Sequence, residues 1–281
     1  MFNKKLKNSF TNKQVIKIIS GINNFNTSNI VKYVKTCEIS NATYVDIAAD
    51  PTIVSFVKKI SNLPICVSSI NIKSLYNSVL AGADIIEIGN FDIFYSKGFI
   101  ISPQQIKNMS YQLRIMFPTI DICVTLPYWL SLDQQIKLAI YLESIGINII
   151  QTEGHLSKDI NSQLFKKYIK NYNLYNCVFK ASSSLASVYG LSKNINLPII
   201  ASSRMNVLNS SIALSYGASG IGIKSSISNF SNITQMSSYI NEIKYSLNIS
   251  KTYRNIAKSK NNYYCYSNNI DYDDQMLFYN V

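Results

Sequence analysis

One histidine, one tryptophan, ten glycines and six prolines in 281 residues leave little material for several common chemistries. With His155 alone, every metal centre that needs two imidazoles is excluded. The five cysteines, Cys37, Cys66, Cys123, Cys177 and Cys265, are far apart and odd in number, and no CxxC pair occurs. Neither a zinc ribbon nor a dithiol redox motif is therefore indicated, and a reducing compartment fits this usage. There is no metal motif; a carboxylate-held Mg²⁺ stays open, with nothing specific pointing to it. No uncharged apolar run reaches the ~18 residues of a membrane helix, so no membrane is expected as a partner. The start, Met1-Phe2-Asn3-Lys4-Lys5-Leu6-Lys7, is basic and lacks the apolar stretch of a secretory signal.

Acidic residues are scarce as well, 15 against 27 lysines and arginines, for a net charge of +12. That balance raises nucleic acid or an anionic membrane surface as a partner. The lysines are spread along the chain, however, and no nucleic-acid-binding module motif is present. The wealth of Lys, Asn, Ile and Tyr is what an AT-rich coding sequence yields whatever the function. No specific nucleic-acid partner is expected, only a modest preference for anionic ligands.

What the chain does have is a recurring phrase. Ala81-Gly82-Ala83-Asp84-Ile85-Ile86-Glu87-Ile88-Gly89 returns as Tyr216-Gly217-Ala218-Ser219-Gly220-Ile221-Gly222-Ile223-Lys224, and more loosely from Ile145 to Gly154. A helix that stops at glycine and passes into a short apolar run is half of an alternating helix/strand unit. Repeated, it builds a parallel sheet, because each strand needs a helix to carry the chain back.

The pattern predicts strands over 15–21, 44–48, 64–68, 84–89, 120–126, 148–153, 198–202 and 219–224. Helices are predicted over 28–39 with Thr27 or Ser28 as cap, from Asp50-Pro51, over 72–80, from Ser102-Pro103, and over 132–144, 184–194, 206–216 and 233–247. Eight such units make a single (β/α)₈ TIM barrel of aldolase type the economical reading. An open doubly wound sheet is the rival, but GxGxxG is missing after strand 1 and no linker divides the chain. Residues 154–183 form a long connection between strand 6 and helix 6, expected as a lid, with a ninth strand near Cys177 to Phe179 as an option. The expected organisation is a basic N-terminal segment (1–14), the barrel (15–248) and a Tyr/Asn-rich C-terminal extension (249–281) with an acidic patch at Asp271, Asp273 and Asp274.

Alternation along each strand turns one set of side chains outward and the other into the barrel. If Ile16 and Ile18, Val45 and Ile47, and Ile86 and Ile88 face the helices, then Lys17, Asp46 and Glu87 face inward. Cys66, Ser68, Cys123, Thr125, Gln151, Glu153, Gly222 and Lys224 join them by the same rule. An inward lysine requires acidic partners, and Asp46 and Glu87 are the candidates. Two readings stay open: a cluster for proton transfer, with Lys17 as a Schiff-base nucleophile of depressed pKa in one version, or a structural ion pair. Glu153 belongs at the C-terminal mouth, where chemistry occurs in this fold. The phrase Gly220-Ile221-Gly222-Ile223-Lys224-Ser225-Ser226 and the turn Ala201-Ser202-Ser203 point to a phosphate site at a helix N-terminus near Ser225. Its expected contacts are Ser202, Ser203, Gly222, Lys224 and Ser225.

Five blocks carry a family resemblance: Ile19-Ser20-Gly21-Ile22-Asn23-Asn24-Phe25, Tyr44-Val45-Asp46-Ile47-Ala48-Ala49-Asp50-Pro51, Leu63-Pro64-Ile65-Cys66-Val67-Ser68-Ser69, Glu87-Ile88-Gly89-Asn90-Phe91-Asp92 and Gln151-Thr152-Glu153-Gly154. The chain resembles the hypothetical chloroplast reading frame number twenty-three family of algal plastids and cyanobacteria, over residues 15–248. The resemblance implies a TIM barrel encoded in and confined to the plastid, expected in the chloroplast stroma, and implies no activity. Ala201-Ser202-Ser203 stands where the family pattern reads Ala-Ser-Gly, and Lys224 replaces the last glycine near strand 8; both add bulk at the phosphate site. More distantly, Ala83-Asp84-x-x-Glu87-x-Gly89 resembles the catalytic-glutamate strand of tryptophan synthase alpha subunits, which implies an acid/base role for Glu87.

The expectation is a metal-independent lyase or isomerase acting on a small phosphorylated metabolite, with Glu87, Glu153, Lys17 and Asp46 as catalytic candidates. The alternative is a non-catalytic barrel that binds a metabolite or partner as a regulator. Flavin at the same mouth is a weaker option without a pattern to support it. The cofactor and oligomeric state stay unassigned.

Overall fold

A computed structural model of the chain describes residues 4–89, 91–95, 97–154 and 171–249. Eight strands pair in parallel and in sequence order until β8 closes on β1. They are β1 (Val15–Ile19), β2 (Tyr44–Ala48), β3 (Ile65–Ser69), β4 (Ile85–Ile88), β5 (Asp121–Leu126), β6 (Ile149–Thr152), β7 (Ile199–Ala201) and β8 (Gly220–Ile223). The closed ring settles the choice against an open sheet.

Helix starts follow local capping chemistry. Asn26, rather than Thr27 or Ser28, caps α2 (Thr27–Ile39), because its side chain accepts the Asn29 N–H. Asp50 accepts from Thr52 and Ile53 ahead of α3 (Pro51–Ile60), whose first residue needs no donor. Asn71 caps α4 (Ile72–Leu80). The short α5 (Asp92–Tyr95) lies between the strand expected over 84–89 and the helix expected from Ser102-Pro103, where no element is predicted. Reciprocal capping boxes open α6 (Pro103–Met116) at Ser102 and α7 (Leu132–Ser144) at Ser131.

The helix after β6 departs from expectation. α8 (Tyr172–Ser192) begins twelve residues before Ser184 and runs through Cys177–Phe179, so no ninth strand forms there. Tyr175 and Phe179, four apart, stack at 5.9 Å on one helix face, which a strand would have placed along one side instead. The lid expected over 154–183 is thus helix from residue 172, and residues 155–170 lie outside the described residues. α9 (Val207–Ser215), the single turn α10 (Ser225–Ser228) and α11 (233–249) complete the ring. The extension from residue 250 onward, with Cys265 and the acidic patch, also lies outside the described residues.

Two apolar clusters occupy the two faces of the sheet. Outward residues such as Ile16, Ile18, Val45, Ile47, Ile86 and Ile88 pack against the helices. Inside, at the N-terminal end of the barrel, Val15, Tyr44, Cys66, Ile85, Cys123, Ile149 and Ile200 form one layer with Leu6 and Phe10. The latter two come from α1 (Lys4–Thr11), so the basic N-terminal segment plugs the barrel with two side chains one helical turn apart. Burying each contributes about 1.5–3 kcal/mol. Cys37, Cys66, Cys123 and Cys177 are free thiols. Among the described residues no helix is long and apolar enough to cross a membrane.

Candidate functional site

One layer above the plug, β1, β2 and β4 bring Lys17, Asp46 and Glu87 together, none more than 1% exposed. The Lys17 ammonium pairs with Glu87, lies 3.1 Å from Asp46 Oδ2, and donates to Gln151 Oε1 at 2.8 Å. All three of its protons are thereby committed. Glu87 accepts from Thr125 at 3.0 Å and from Gln151 Nε2 at 2.7 Å, while the Ser68 hydroxyl donates to Asp46. Buried charge costs several kcal/mol per ion unless every donor and acceptor is met, and this network meets them. A side chain on Gly89 would break it, because a Cβ there falls 2.2 Å from Thr125 Oγ1.

Titration follows from the two-acid, one-base count. Burial pulls the Lys17 pKa down, but Asp46 and Glu87 outweigh it and hold the ammonium well above its ordinary value. That direction is opposite to the depressed pKa a Schiff-base nucleophile needs, so the sequence expectation is corrected on this point. Burial pushes the Asp46 carboxyl up to about 6 against the pull of Lys17. Asp46, Cys66 and Glu87 do bring three ligand-type atoms within 4.8 Å of one another. The ammonium already pairs with both carboxylates, and burial keeps the Cys66 thiol well above its ordinary pKa, so the donor set suits lysine rather than a metal.

Above the network a cavity of about 280 Å³ opens at the C-terminal mouth. Its walls come from Ile19, from Thr125, from Gln151 to Gly154, from Ser202 to Met205, and from Gly222, Lys224, Ser225 and Ser228. Six of the nine residues singled out in the sequence therefore share one cavity: Glu153, Ser202, Ser203, Gly222, Lys224 and Ser225. Lys17, Asp46 and Glu87 lie beneath it, with Thr125 and Gln151 as the floor between. Gly222 is needed for clearance, since a Cβ would meet Ile19 and Ser202 at 3.0 Å.

Glu153 is held, not loosely solvated, at 6% exposure. It accepts from the Tyr95 phenol at 2.8 Å and from the Tyr128 backbone N–H at 3.2 Å. The two tyrosine rings meet edge to face at 5.1 Å, which fixes the phenol's approach. Burial and Glu153 push the Tyr95 pKa far up, so its hydroxyl stays a donor. Tyr95 sits on α5, the element the sequence does not announce.

The wall expected to face a phosphate differs from expectation in what lines it. α10 is a single turn, so its dipole is weak and the positive charge at this wall comes from side chains. Ser203 and Arg204 occupy left-handed backbone in succession, at φ of 70° and 59°. Non-glycine residues rarely hold such conformations, and where they do a site is often the reason. Arg204 escapes the sequence reading: it is one arginine outside any motif, and only its place in the turn after strand 7 signals the mouth. Among the described residues neither Arg204 nor Lys224 has an ion-pair partner.

The geometry has relatives. The family model described as "Protein of unknown function (DUF561)" matches residues 1–253. "Uncharacterized protein ycf23" of Antithamnion sp. is 52% identical over 244 residues, 87% of this chain and 88% of that one. The chain belongs to the ycf23 family. Its counterpart in Cyanophora paradoxa is 38% identical, across 88% of this chain and 98% of that one. The ycf23 proteins are plastid-encoded, so this chain is a plastid protein, as the five sequence blocks implied. Among solved structures, thiamine phosphate pyrophosphorylase from Pyrococcus furiosus superposes with a TM-score of 0.53 at 12% identity, covering 85% of this chain and 98% of that one. 3-Hexulose-6-phosphate synthase gives 0.55 at 10%, covering 83% and 99%. GGGPS from Thermoplasma volcanium gives 0.56 at 11%, covering 88% and 98%. Likeness at this identity establishes the aldolase-type TIM barrel of the ycf23 chain and nothing finer.

Proposed function

We propose that the mouth cavity binds a small phosphorylated metabolite in the plastid stroma and that Glu153 moves a proton on it, as in a lyase or isomerase. One observation carries the reading: two cations without counter-ions among the described residues, a row of serines and a held carboxylate face one cavity of about 280 Å³. Lys224, Arg204, Ser202, Ser203 and Ser225 take the phosphate. Glu153, held by the Tyr95 phenol and the Tyr128 N–H, accepts a proton from the metabolite. Lys17, Asp46 and Glu87 are positioning residues, holding Gln151 and Thr125 rigid beneath the ligand. Two of the similar barrels are named for phosphate compounds, which agrees with this assignment.

A second reading, a barrel that binds its metabolite without turning it over, draws on the floor, where every Lys17 proton is committed to the network. A ³¹P NMR screen of turnover across phosphorylated metabolites separates the two, with Glu153→Gln as the control. A metabolite that wild type converts and the variant binds but leaves unchanged supports catalysis. Equal conversion by both contradicts it, and binding of a phosphorylated metabolite with no conversion of any candidate leaves the second reading standing.

A further inference from the structure

The turn that carries Ser203 and Arg204 is held in its left-handed shape from several sides. The Ser202 N–H donates to Thr152 Oγ1 at 3.2 Å, and the Ser226 hydroxyl donates to the Met205 carbonyl. Ser203 packs against Gly154, where an added Cβ would fall 2.9 Å from the Ser203 Cβ. At the centre of this clamp is Asn209, fully buried in the first turn of α9. Its Nδ2 donates to the Arg204 carbonyl at 3.0 Å and to the Cys177 carbonyl of α8 at 3.2 Å, while its Oδ1 accepts the Asn206 N–H at 2.8 Å.

Helix capping accounts for only part of this. Asn206 and Asn209 form a reciprocal capping box at the start of α9, which uses the backbone N–H and the Oδ1 of Asn209. An acceptor alone would serve there. Both amide protons go instead to carbonyls outside α9, one of them in the strained turn. Left-handed residues other than glycine persist only where the surroundings over-determine them, and Asn209 bonds directly to the second of the two.

Resting on the phosphate reading above, we infer that Asn209 is a positioning residue for that site: it fixes the Arg204 main chain so that the guanidinium projects into the cavity, and through Cys177 it ties this turn to α8. Arg204 is exposed at the cavity wall, so the aim of its long side chain depends on the backbone it leaves. A turn already set in its binding shape spares the ordering cost that an anion would otherwise have to offset. Asn209 thereby raises affinity from behind the wall, through Arg204 and not by touching the ligand.

The test is a double-mutant cycle on the full chain, with inorganic phosphate titrated calorimetrically into wild type, Asn209→Ala, Arg204→Ala and the double variant. Asn209→Ala is expected to weaken phosphate binding about tenfold in the wild-type background and less than about twofold where Arg204 is already alanine, because the two residues act as one unit. Equal loss in both backgrounds, or no loss in either, makes Asn209 a purely structural residue and overturns the inference while the phosphate site stands. Should Asn209→Ala fail to fold, the side-chain amide resonances of Asn209 decide. They are expected to shift in wild type as inorganic phosphate is added and to stay in place in Arg204→Ala; no shift in wild type, or the same shift in both, overturns the inference. If wild type takes up no phosphate, the phosphate reading itself fails and the inference falls with it. If Arg204→Ala binds phosphate as tightly as wild type, Arg204 leaves the site and the inference falls while the remaining contacts stand.

Discussion

Lys224 lies over Gly21 across the β8–β1 seam: a Cβ built on Gly21 falls 3.0 Å from Lys224 Nζ and 3.2 Å from its Cε. Gly21 also holds φ at +115°, a conformation side chains rarely adopt. Gly21→Ala is therefore expected to act twice. It costs about 1–3 kcal/mol of stability through backbone strain, and it displaces the ammonium from the cavity, so phosphate affinity falls with it. Urea unfolding and phosphate titration of the same variant read the two effects, and full retention of both would contradict the placement.

Lys17 answers two buried acids, so its removal leaves them without a cation. Lys17→Met is expected to cost about 3–5 kcal/mol, read as a lower urea midpoint. Adding Glu87→Gln removes one of the stranded charges and is expected to restore part of the loss. A single-variant cost below about 1 kcal/mol would show that the ammonium is not the hub of the network.

Asp46 gives the network a pH signature. Its folded pKa of about 6 stands above the unfolded value of about 3.9. Between those values the native chain holds a proton that the unfolded chain has lost, so this group's contribution falls as pH rises from about 4 to about 6. The full change is on the order of 3 kcal/mol. Lys17 works at the other end of the scale: with its folded pKa raised, its contribution holds through neutral pH and is lost only as strongly alkaline pH passes that value. Urea unfolding of wild type and Asp46→Asn at pH 4.5 and pH 7 should show a smaller gain on acidification in the variant, and parallel profiles would contradict the shift.

How much of this was legible before folding depends on the kind of signal. Alternation of Ile16 and Ile18 about Lys17, and of Ile86 and Ile88 about Glu87, is a period-two pattern, and it turned both charges inward as observed. Alternation says nothing of depth, so the separation of Lys17, Asp46 and Glu87 from the cavity that Glu153 lines was out of reach. α1 was illegible because a basic eight-residue helix with two apolar side chains resembles any solvated segment until a barrel end is there to be filled. Cys177-Val178-Phe179 reads as strand locally, whereas the Tyr175–Phe179 stack is an i,i+4 contact that exists only once the backbone is helical. Arg204 carries no motif, and its place at the cavity follows a left-handed turn that composition does not encode.

Ser203 tests whether that turn is kept for binding. Glycine at this position would relieve the left-handed strain, and Ser203→Gly is expected to stabilise the chain by about 1 kcal/mol. The same change deletes a cavity hydroxyl, so phosphate is expected to bind several-fold more weakly. A variant that gains stability with unchanged affinity would remove Ser203 from the site.

The most direct measurement is the thermal midpoint of wild type and Lys224→Ala against rising inorganic phosphate at constant ionic strength. Phosphate at one hundred times its dissociation constant stabilises the native state by about 2.7 kcal/mol, equivalent to a rise of several degrees. A rise in wild type that is absent or much reduced in Lys224→Ala is the result expected of an anion site at the mouth. An unchanged midpoint in wild type, or an equal rise in both proteins, would contradict it.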